Sequence, residues 1–309
     1  GELQVYAQRE GANGKPAWLS GLGDVAHSTL TGQHHELWLS WGDPGRVERI
    51  ASSVEGLSLI ADPTGQRLLY FPSLVSGQPR LLDVASRVEQ AMSLNVAQWQ
   101  YPKYPKPVQS MLTPSAFQIT WHPDGSRLVL YAQPWIFLFD MRSGQVCEID
   151  LGRSEPENMP IWALEAKWSP NGRYLALITT GSFPGQASGT GAPILYTELT
   201  IVDIETGTLQ TLQPAPDING GQHYVTDMSW APDSRYLAVL GVVHMTETGS
   251  EKAGMFIVDV TRGEFQQVLS EHDFGGGLWS WQLAWAPSGS QLAVNCPTPE
   301  EGRLCIISV

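Results

Sequence analysis

Two carboxylates are the side chains in this sequence with the clearest capacity for chemistry. Glu165 and Asp227 each stand three residues before the tryptophan of a recurring W-x-P motif, and glutamine holds the same place at Gln118 and Gln282. Two carboxylates brought together can act as acid and base in the hydrolysis of a carbohydrate, or attract a cation or a basic side chain. The same positions are also consistent with polar groups bridged by ordered water, because buried polar groups need partners.

Aromatic residues and a histidine come just before three of these four positions. They are Trp162, His223, Tyr224, Trp279 and Trp281. Aromatic rings at a concave surface stack on sugars or anchor a protein partner. The alternative is that each ring packs between neighbouring elements of the fold.

The histidines and acidic residues predict neither a metal ion nor a cofactor. The one grouping that strand order could bring together is His223, His272 and Asp227, at the ends of different predicted strands. No cysteine pair has the spacing of a zinc site. We therefore expect no metal and no cofactor.

The sequence contains three cysteines. Cys296 ends one predicted strand and Cys305 lies in the next, so a cross-strand disulfide between them is one interpretation. Two small buried thiols are the other. Cys147 has no nearby partner in the sequence and is expected in the core.

A repeat in the sequence predicts the elements that position these residues. The segments WHPDGSRL, WSPNGRYLA, WAPDSRYLA and WAPSGSQLA recur at spacings of 47 to 62 residues. In each copy a short strand leads into a turn, and strands with apolar residues at alternate positions follow. Four-stranded antiparallel units at about this period are typical of β-propeller blades.

The fold class predicted is all-β, a six-bladed β-propeller of four-stranded antiparallel blades in a single domain, 1–309. The blades are expected near residues 16–51, 57–91, 117–151, 164–213, 226–270 and 281–309. The last copy has only three strands, and the alternating segment 2–8 has no blade of its own. Pairing of residues 2–8 with the last blade would close the ring and leave no bare edge.

Alignment on the motif tryptophan shows apolar residues two places before it and polar residues three places before it. Successive residues of a strand lie on opposite faces. We therefore expect the apolar set to pack between sheets and the polar set to edge the central channel.

Two insertions join the second and third strands of neighbouring predicted blades, at 181–196 and 242–256. Insertions at equivalent places of neighbouring blades lie on the same face of a propeller. They could form one adaptable rim, or they are tolerated surface insertions.

Composition narrows the range of partners. Of the 309 residues 42% are apolar and 16% are charged, and the net charge is −13. An acidic surface repels phosphate backbones, so nucleic acid is not an expected partner. No apolar run reaches the roughly 18 residues of a membrane span. A protein partner is expected, with a glycan as the alternative, and the chain is expected to be a monomer.

The four motif segments, together with VDIETG and VDVTRG, resemble the TolB-like β-propeller repeat family over roughly residues 55–309. The resemblance implies a propeller that binds protein partners in the periplasm or outside the cell. Since the sequence starts at Gly1, a removed leader or anchor could precede it. The smaller α/β domain of such proteins has no counterpart here, and neither does the G-x-S-x-G elbow of hydrolases that carry similar propellers.

These observations favour a non-catalytic scaffold that binds a protein at the channel mouth and rim loops. The alternative is a carbohydrate-binding propeller, or a lyase or hydrolase acting on a carbohydrate at the same mouth. Fold alone does not decide between them.

Overall fold

The computed structural model describes residues 17–19, 24–31, 34–40, 47–54, 60–70, 80–92, 118–132, 135–143, 145–149, 151, 163–187, 193–212, 224–245, 251–273, 283–295 and 304–309. Within these ranges the regular structure is entirely β-strand, in six sheets.

The strands are numbered in chain order, and the sheets are numbered in the same order. Sheet 1 contains β1 Ala17–Leu19, β2 Asp24–Thr31, β3 His34–Ser40 and β4 Val47–Val54. Sheet 2 contains β5 Ile60–Ala61, β6 Arg67–Tyr70, β7 Arg80–Asp83 and β8 Glu89–Ala91. Sheet 3 contains β9 Gln118–Trp121, β10 Arg127–Ala132, β11 Trp135–Asp140 and β12 Val146–Glu148.

The second half of the chain repeats this arrangement with longer strands. Sheet 4 contains β13 Ala163–Trp168, β14 Tyr174–Ala187, β15 Pro193–Asp203 and β16 Thr208–Leu212. Sheet 5 contains β17 Tyr224–Trp230, β18 Tyr236–Met245, β19 Glu251–Asp259 and β20 Glu264–Asp273. Sheet 6 contains β21 Leu283–Trp285, β22 Gln291–Asn295 and β23 Leu304–Ser308.

Each sheet is a meander in which strands consecutive in the chain are neighbours. The expected four-stranded antiparallel sheets are therefore confirmed for sheets 1 to 5. Sheet 6 has three described strands. The predicted closing strand, residues 2–8, lies outside the described residues, so its pairing with β23 stays a prediction.

The turn after each motif tryptophan explains why the repeat carries proline and glycine. Gly125 has φ of 70° and its N–H donates to the carbonyl of His122 at 2.8 Å. Glycine adopts this left-handed backbone conformation at the lowest steric cost, because it has no Cβ. In sheet 5 the same place is taken by Ser234, with φ of 61°, and its Oγ accepts the N–H of Asn171 in the turn of sheet 4 at 2.9 Å.

The chain divides into two compact units, and the expectation of a single domain stays a prediction. One comprises residues 1–130 and 139–146, the other residues 131–138 and 147–309. In the first, sheets 1 and 2 share a core of Leu37, Leu39, Leu68, Tyr70 and Leu82.

The second unit has two apolar layers, one on each side of sheet 5. Ile178 and Leu199 of sheet 4 pack with Met228 of sheet 5. On the other face, Leu240 of sheet 5 packs with Leu292 of sheet 6. Both faces of sheet 5 are thus covered, which determines where its polar side chains lie.

Candidate functional site

The predicted site residues fall into two groups. Gln118 is the first residue of β9, Glu165 lies in β13, and Tyr224 and Asp227 lie in β17. The others lie outside the described residues, and for them the site stays a prediction: Trp162, His223, Trp279, Trp281 and Gln282.

Glu165 and Asp227 meet around a lysine that the sequence analysis did not single out. The Nζ of Lys167 lies 2.8 Å from Oε1 of Glu165 and 2.9 Å from Oδ1 of Asp227. It also donates to the carbonyl oxygen of Met228 at 2.6 Å. The ammonium group has three donors, so these contacts use its full capacity. The first strands of sheets 4 and 5 are thereby joined.

Asp227 also reaches sheet 6. Its Oδ2 accepts the main-chain N–H of Leu283 at 2.7 Å, and its Oδ1 accepts the N–H of Met228 at 2.8 Å. Ser229, two residues along β17, repeats this contact, because its Oγ accepts the N–H of Trp285 at 3.1 Å. Asp227 is only 6% exposed. Its carboxylate is therefore a structural link between three sheets.

Asp227 lies between sheets, and the expectation that the polar positions edge the channel stays a prediction. Asp227 lies opposite Leu240 in the sheet register, and Leu240 belongs to the apolar layer shared with sheet 6. Met228, the next residue, belongs to the layer shared with sheet 4. Both alternating sets of β17 thus lie between sheets. The reason is geometric: a strand presents side chains to its two faces, and both faces of sheet 5 are covered.

The charges in this cluster affect one another's protonation. Burial raises the pKa of Glu165, and the bond from Lys167 offsets that rise only in part. Burial lowers the pKa of Lys167, but its bonds to Glu165 and Asp227 outweigh burial and leave the pKa raised. Lys167 therefore stays charged and neutralises one of two adjacent carboxylates.

A second set of charged residues explains other parts of the repeat. Arg173 bonds to Asp203 in sheet 4, with Nη2 and Oδ2 2.8 Å apart, and Arg235 bonds to Asp259 in sheet 5 at 2.7 Å. Asp259 also accepts the N–H of Thr261 in the following turn at 3.1 Å. The Arg235 hydrogen bond, with those from Thr261, lowers the pKa of Asp259 to about 2. The aspartates of VDIETG and VDVTRG are thus turn-stabilising residues.

In the described residues, sheet 4 carries a two-stranded extension. β13 pairs with β14 up to Thr179, and β16 pairs with β15 up to Leu199. Beyond these points β14 and β15 continue, paired only with each other in the described residues, to Ala187 and Pro193. We call residues 180–187 and 193–198 the ribbon. The ribbon begins at the end of the sheet where β13 starts. β13 itself starts at Ala163, directly after Trp162 in the chain.

Solved structures with the same chain trace identify the architecture. The propeller domain of the trilobed protease from Pyrococcus furiosus matches with a TM-score of 0.56 and 11% identity, over 96% of this chain and 81% of that one. Dipeptidyl peptidase 4 from Porphyromonas gingivalis matches with a TM-score of 0.60 and 10% identity, over 92% of this chain and 44% of that one. The GH74 enzyme from Niastella koreensis matches with a TM-score of 0.57 and 12% identity, over 92% and 44%.

The fold is that of a β-propeller.

These similarities concern the propeller fold alone, because the sequence identities are so low. The chain spans about two fifths of the length of the peptidase and of the GH74 enzyme. TolB from Acinetobacter baumannii is also similar, at a TM-score of 0.44 and 16% identity, over 94% of this chain and 63% of that one. No family model and no curated protein matches the sequence. Membership of the TolB-like family therefore stays a prediction.

The cysteines of the propeller differ from one another. Cys305 in β23 takes part in a disulfide bond. Cys296 lies outside the described residues, so the pairing of these two stays a prediction. Cys147 in β12 is a free thiol and is exposed, so its expected place in the core is wrong. β12 is an edge strand of sheet 3, which accounts for the exposure.

Two further properties concern the described part of the chain. No group of three or more His, Cys, Asp and Glu side chains there could hold a metal ion. No helix in those residues is long and apolar enough to cross a membrane.

Proposed function

We propose that this propeller is a non-catalytic scaffold that binds a protein partner at the end of its sheets where the ribbon extends. The support for this proposal is that, in the described residues, β14 and β15 continue past the ends of β13 and β16. Trp162 precedes β13 in the chain, His223 precedes β17, and Tyr224 is the first residue of β17. We propose that aromatic contacts at this end of the sheets help to hold the partner.

The charge cluster favours binding over catalysis. Both carboxylates that could have formed a catalytic pair, Glu165 and Asp227, are held by Lys167 at under 3 Å. Asp227 is further committed to the main chain of Leu283. If Asp227 took part in proton transfer, it would have to give up a bond that links two sheets. A structural role for Asp227 is therefore simpler than a catalytic one.

We propose the remaining features of the architecture on the same basis. Six sheets in the described residues support a six-bladed ring, and the three strands of sheet 6 leave a place for residues 2–8. The disulfide of Cys305 supports an oxidising compartment, the periplasm or the cell exterior. Because binding a partner does not need a second copy of this chain, we propose a monomer.

The alternative is a propeller that binds or cleaves a carbohydrate. Its support is the likeness to a GH74 enzyme, which extends to the fold alone, together with Trp279 and Trp281, which are two residues apart in the sequence. This function would require a carboxylate pair other than Glu165 and Asp227, both of which are held by Lys167. It therefore ranks second.

The test compares partner binding in variants of the predicted mouth. The tagged chain is expressed in its own organism, and proteins that co-purify with it are quantified for the wild type, for Trp162→Ala/Trp279→Ala, and for Glu205→Lys in the β15–β16 turn as a control. We expect one protein that the wild type and the control retain and the double variant loses, and that then binds the purified chain directly. Binding to a glycan array, with no such protein, would instead support the carbohydrate alternative.

A further inference from the structure

We infer that Asn171, in the turn between β13 and β14, is a site of spontaneous deamidation, and that Ser234 of sheet 5 holds this reaction back. The inference goes beyond the proposed binding function and does not depend on it. It describes a covalent change that the contact between the turns of sheets 4 and 5 prevents.

The reactive feature is the dipeptide Asn171–Gly172. The main-chain nitrogen of a glycine can attack Cγ of the preceding asparagine, because glycine has no Cβ to hinder the approach. The nitrogen loses its proton and forms a bond to Cγ. The bond from Cγ to the side-chain nitrogen breaks, and ammonia leaves after taking up a proton. Water then opens the cyclic imide, which gives aspartate or isoaspartate.

Asn171 is placed where this chemistry can proceed and where aspartate is accepted as a product. The residue is exposed, so solvent can remove the ammonia and supply the water. Aspartate stands at the matching place of two other turns, at Asp124 and Asp233. In all three turns Oδ1 of this residue accepts the main-chain N–H two residues further along, at 2.7 Å for Asp124, 3.0 Å for Asn171 and 2.9 Å for Asp233.

The main chain on both sides of Asn171 is fixed by hydrogen bonds. The N–H of Asn171 donates to Oγ of Ser234 at 2.9 Å, and the N–H of Gly172 donates to the carbonyl oxygen of Ser169 at 2.8 Å. The two bonds hold successive peptide planes. Attack requires the glycine nitrogen to come within about 3–3.5 Å of Cγ in the right direction, and to give up its proton. Rotation of the main chain toward that geometry therefore breaks one of these bonds.

The side chain of Asn171 is held as well. Its Oδ1 accepts the Oγ–H of Ser169 at 2.7 Å and the N–H of Arg173 at 3.0 Å. Ser169 is itself fully buried, and its Oγ accepts the N–H of Tyr174 at 2.9 Å. Rotation of the amide group of Asn171 therefore costs two hydrogen bonds to groups that do not follow it.

Ser234 occupies a backbone position that favours glycine. Its φ is 61°, and a left-handed residue other than glycine persists only where its surroundings require it. Ser234 is 3% exposed, and its Oγ accepts the N–H of Asn171. A glycine at this position would relieve the strain but would lack that bond. In four other turns of the repeat the matching residue is a left-handed glycine: Gly65, Gly125, Gly172 and Gly289.

The two products differ in what they do to the turn. Aspartate keeps the main chain as it is. Isoaspartate carries the main chain through Cβ and Cγ, which lengthens it by one carbon atom between Asn171 and Gly172. The N–H of Gly172 could then no longer keep its bond to Ser169 while the N–H of residue 171 stays on Ser234. Formation of isoaspartate would therefore loosen the contact between the two turns.

The experiment measures deamidation in the purified full chain, kept in mildly alkaline buffer well below the melting temperature. Samples taken over time are digested at acid pH, and mass spectrometry quantifies asparagine, aspartate and isoaspartate at position 171. The samples are the folded wild type, the wild type unfolded in urea, Ser234→Gly and Ser288→Gly. Ser234→Gly removes the hydroxyl group while the new residue suits the left-handed backbone. Ser288→Gly makes the same chemical change in the turn of sheet 6, at an exposed residue whose Oγ lies 2.9 Å from Oγ of Ser290.

We expect the unfolded chain to deamidate at Asn171 at least about tenfold faster than the folded wild type. Ser234→Gly should be faster than the folded wild type by about threefold or more, the effect of one hydrogen bond on a rate, and Ser288→Gly should match the wild type. No deamidation at this position in the unfolded chain would overturn the site.

Equal rates in the folded wild type and Ser234→Gly would overturn the protective role of Ser234. Urea denaturation of both proteins separates a local effect from a global one. A faster reaction in Ser234→Gly with no loss of unfolding free energy supports the local bond. A faster reaction that matches a loss of unfolding free energy would assign the chemistry to the unfolded chain, and would also overturn the role of Ser234.

Discussion

The carboxylate of Asp227 in sheet 5 accepts the main-chain N–H of Leu283 in sheet 6, with Oδ2 and the nitrogen 2.7 Å apart. The first strand of each sheet has a neighbour on one side only, so the N–H and C=O groups on its other side need partners. In β21 the side chains of Asp227 and Ser229 accept two of these N–H groups. In β17 the side chain of Lys167 donates to the carbonyl oxygen of Met228. Polar side chains of one blade thus complete the main chain of the next.

Replacement of Asp227 by alanine should destabilise the protein strongly. The change removes the acceptor for two N–H groups and leaves Lys167 without one of its partners, which together should lower the free energy of unfolding by about 3 kcal/mol. Urea denaturation followed by tryptophan fluorescence measures this. Glu264→Gln is the control, because that side chain is 69% exposed. Equal midpoints for the two variants would show that the link between sheets contributes little.

Replacement of Lys167 by methionine should make stability depend on pH in a new way. Without the ammonium group, Glu165 lies beside Asp227 uncompensated, and its pKa, already raised by burial, should rise further. A carboxyl whose folded pKa is raised favours folding when protonated, so the variant should lose less stability at pH 5 than at pH 7. Unfolding free energies of both proteins at the two pH values measure the difference.

The double variant Lys167→Met/Glu165→Gln provides the check on that interpretation. Glutamine carries no charge, so the pH dependence added by Lys167→Met should disappear. If it persists, the repulsion arises from a group other than Glu165.

The Arg235–Asp259 pair should contribute acid sensitivity. Asp259 has a pKa lowered to about 2, against an ordinary value near 4. A carboxylate whose pKa is lower in the folded than in the unfolded protein stabilises the fold at any pH above its unfolded pKa. This stabilisation is lost as the pH falls through its folded pKa. Asp259→Asn should therefore lower the melting temperature at pH 6 and have a smaller effect near pH 2. A constant difference across this range, in thermal unfolding by circular dichroism, would contradict the assignment.

Two glycines allow strain and crowding in the turns to be separated. Gly207, with φ of 71°, has open space where a Cβ would stand, so Gly207→Ala should cost only the strain of a left-handed alanine, about 1 kcal/mol. At Gly125, with φ of 70°, the Cβ would lie 2.7 Å from Nη2 of Arg67. Gly125→Ala should therefore cost more, by about 1 kcal/mol or above. Chemical denaturation of the two variants compares them directly, and equal losses would show that Arg67 moves aside.

Deletion of residues 1–10 tests the predicted closing strand. If residues 2–8 pair with β23, their removal should expose that edge and lower the melting temperature by several degrees. The truncated protein should also aggregate more readily, since a bare edge strand promotes association. An unchanged melting temperature would show that sheet 6 is stable as three strands.

Much of the fold follows from local sequence signals. Turns such as HPDG and SPNG, with their left-handed Gly125 and Gly172, separate strands of alternating polarity, and those signals depend on neighbours in the chain. The strands of sheet 3, for instance, lie between residues 118 and 148, within the blade predicted near 117–151. Strand order then follows, because each meander pairs consecutive strands.

The site could not be predicted as well, because it depends on contacts between sheets. Lys167 bonds to Asp227, which is 60 residues away, and no periodicity within β13 indicates that partner. One signal was present: Glu165 and Lys167 are two residues apart on a strand and so share a face. The sequence analysis placed only the apolar set between sheets, whereas Asp227 also lies there, because both faces of sheet 5 are covered. That these polar residues also edge the channel stays a prediction.

The bond between Asp227 and Leu283 restricts substitution at its two positions to different degrees. Position 227 must supply an acceptor of the right length, whereas position 283 contributes only its main-chain N–H. For this bond any residue except proline would serve at 283. Few substitutions should therefore be tolerated at position 227, which contributes a side chain to the bond. More should be tolerated at position 283, which contributes only its main chain. A library randomised at both positions would show a narrow set of survivors at 227 and a wide apolar set at 283.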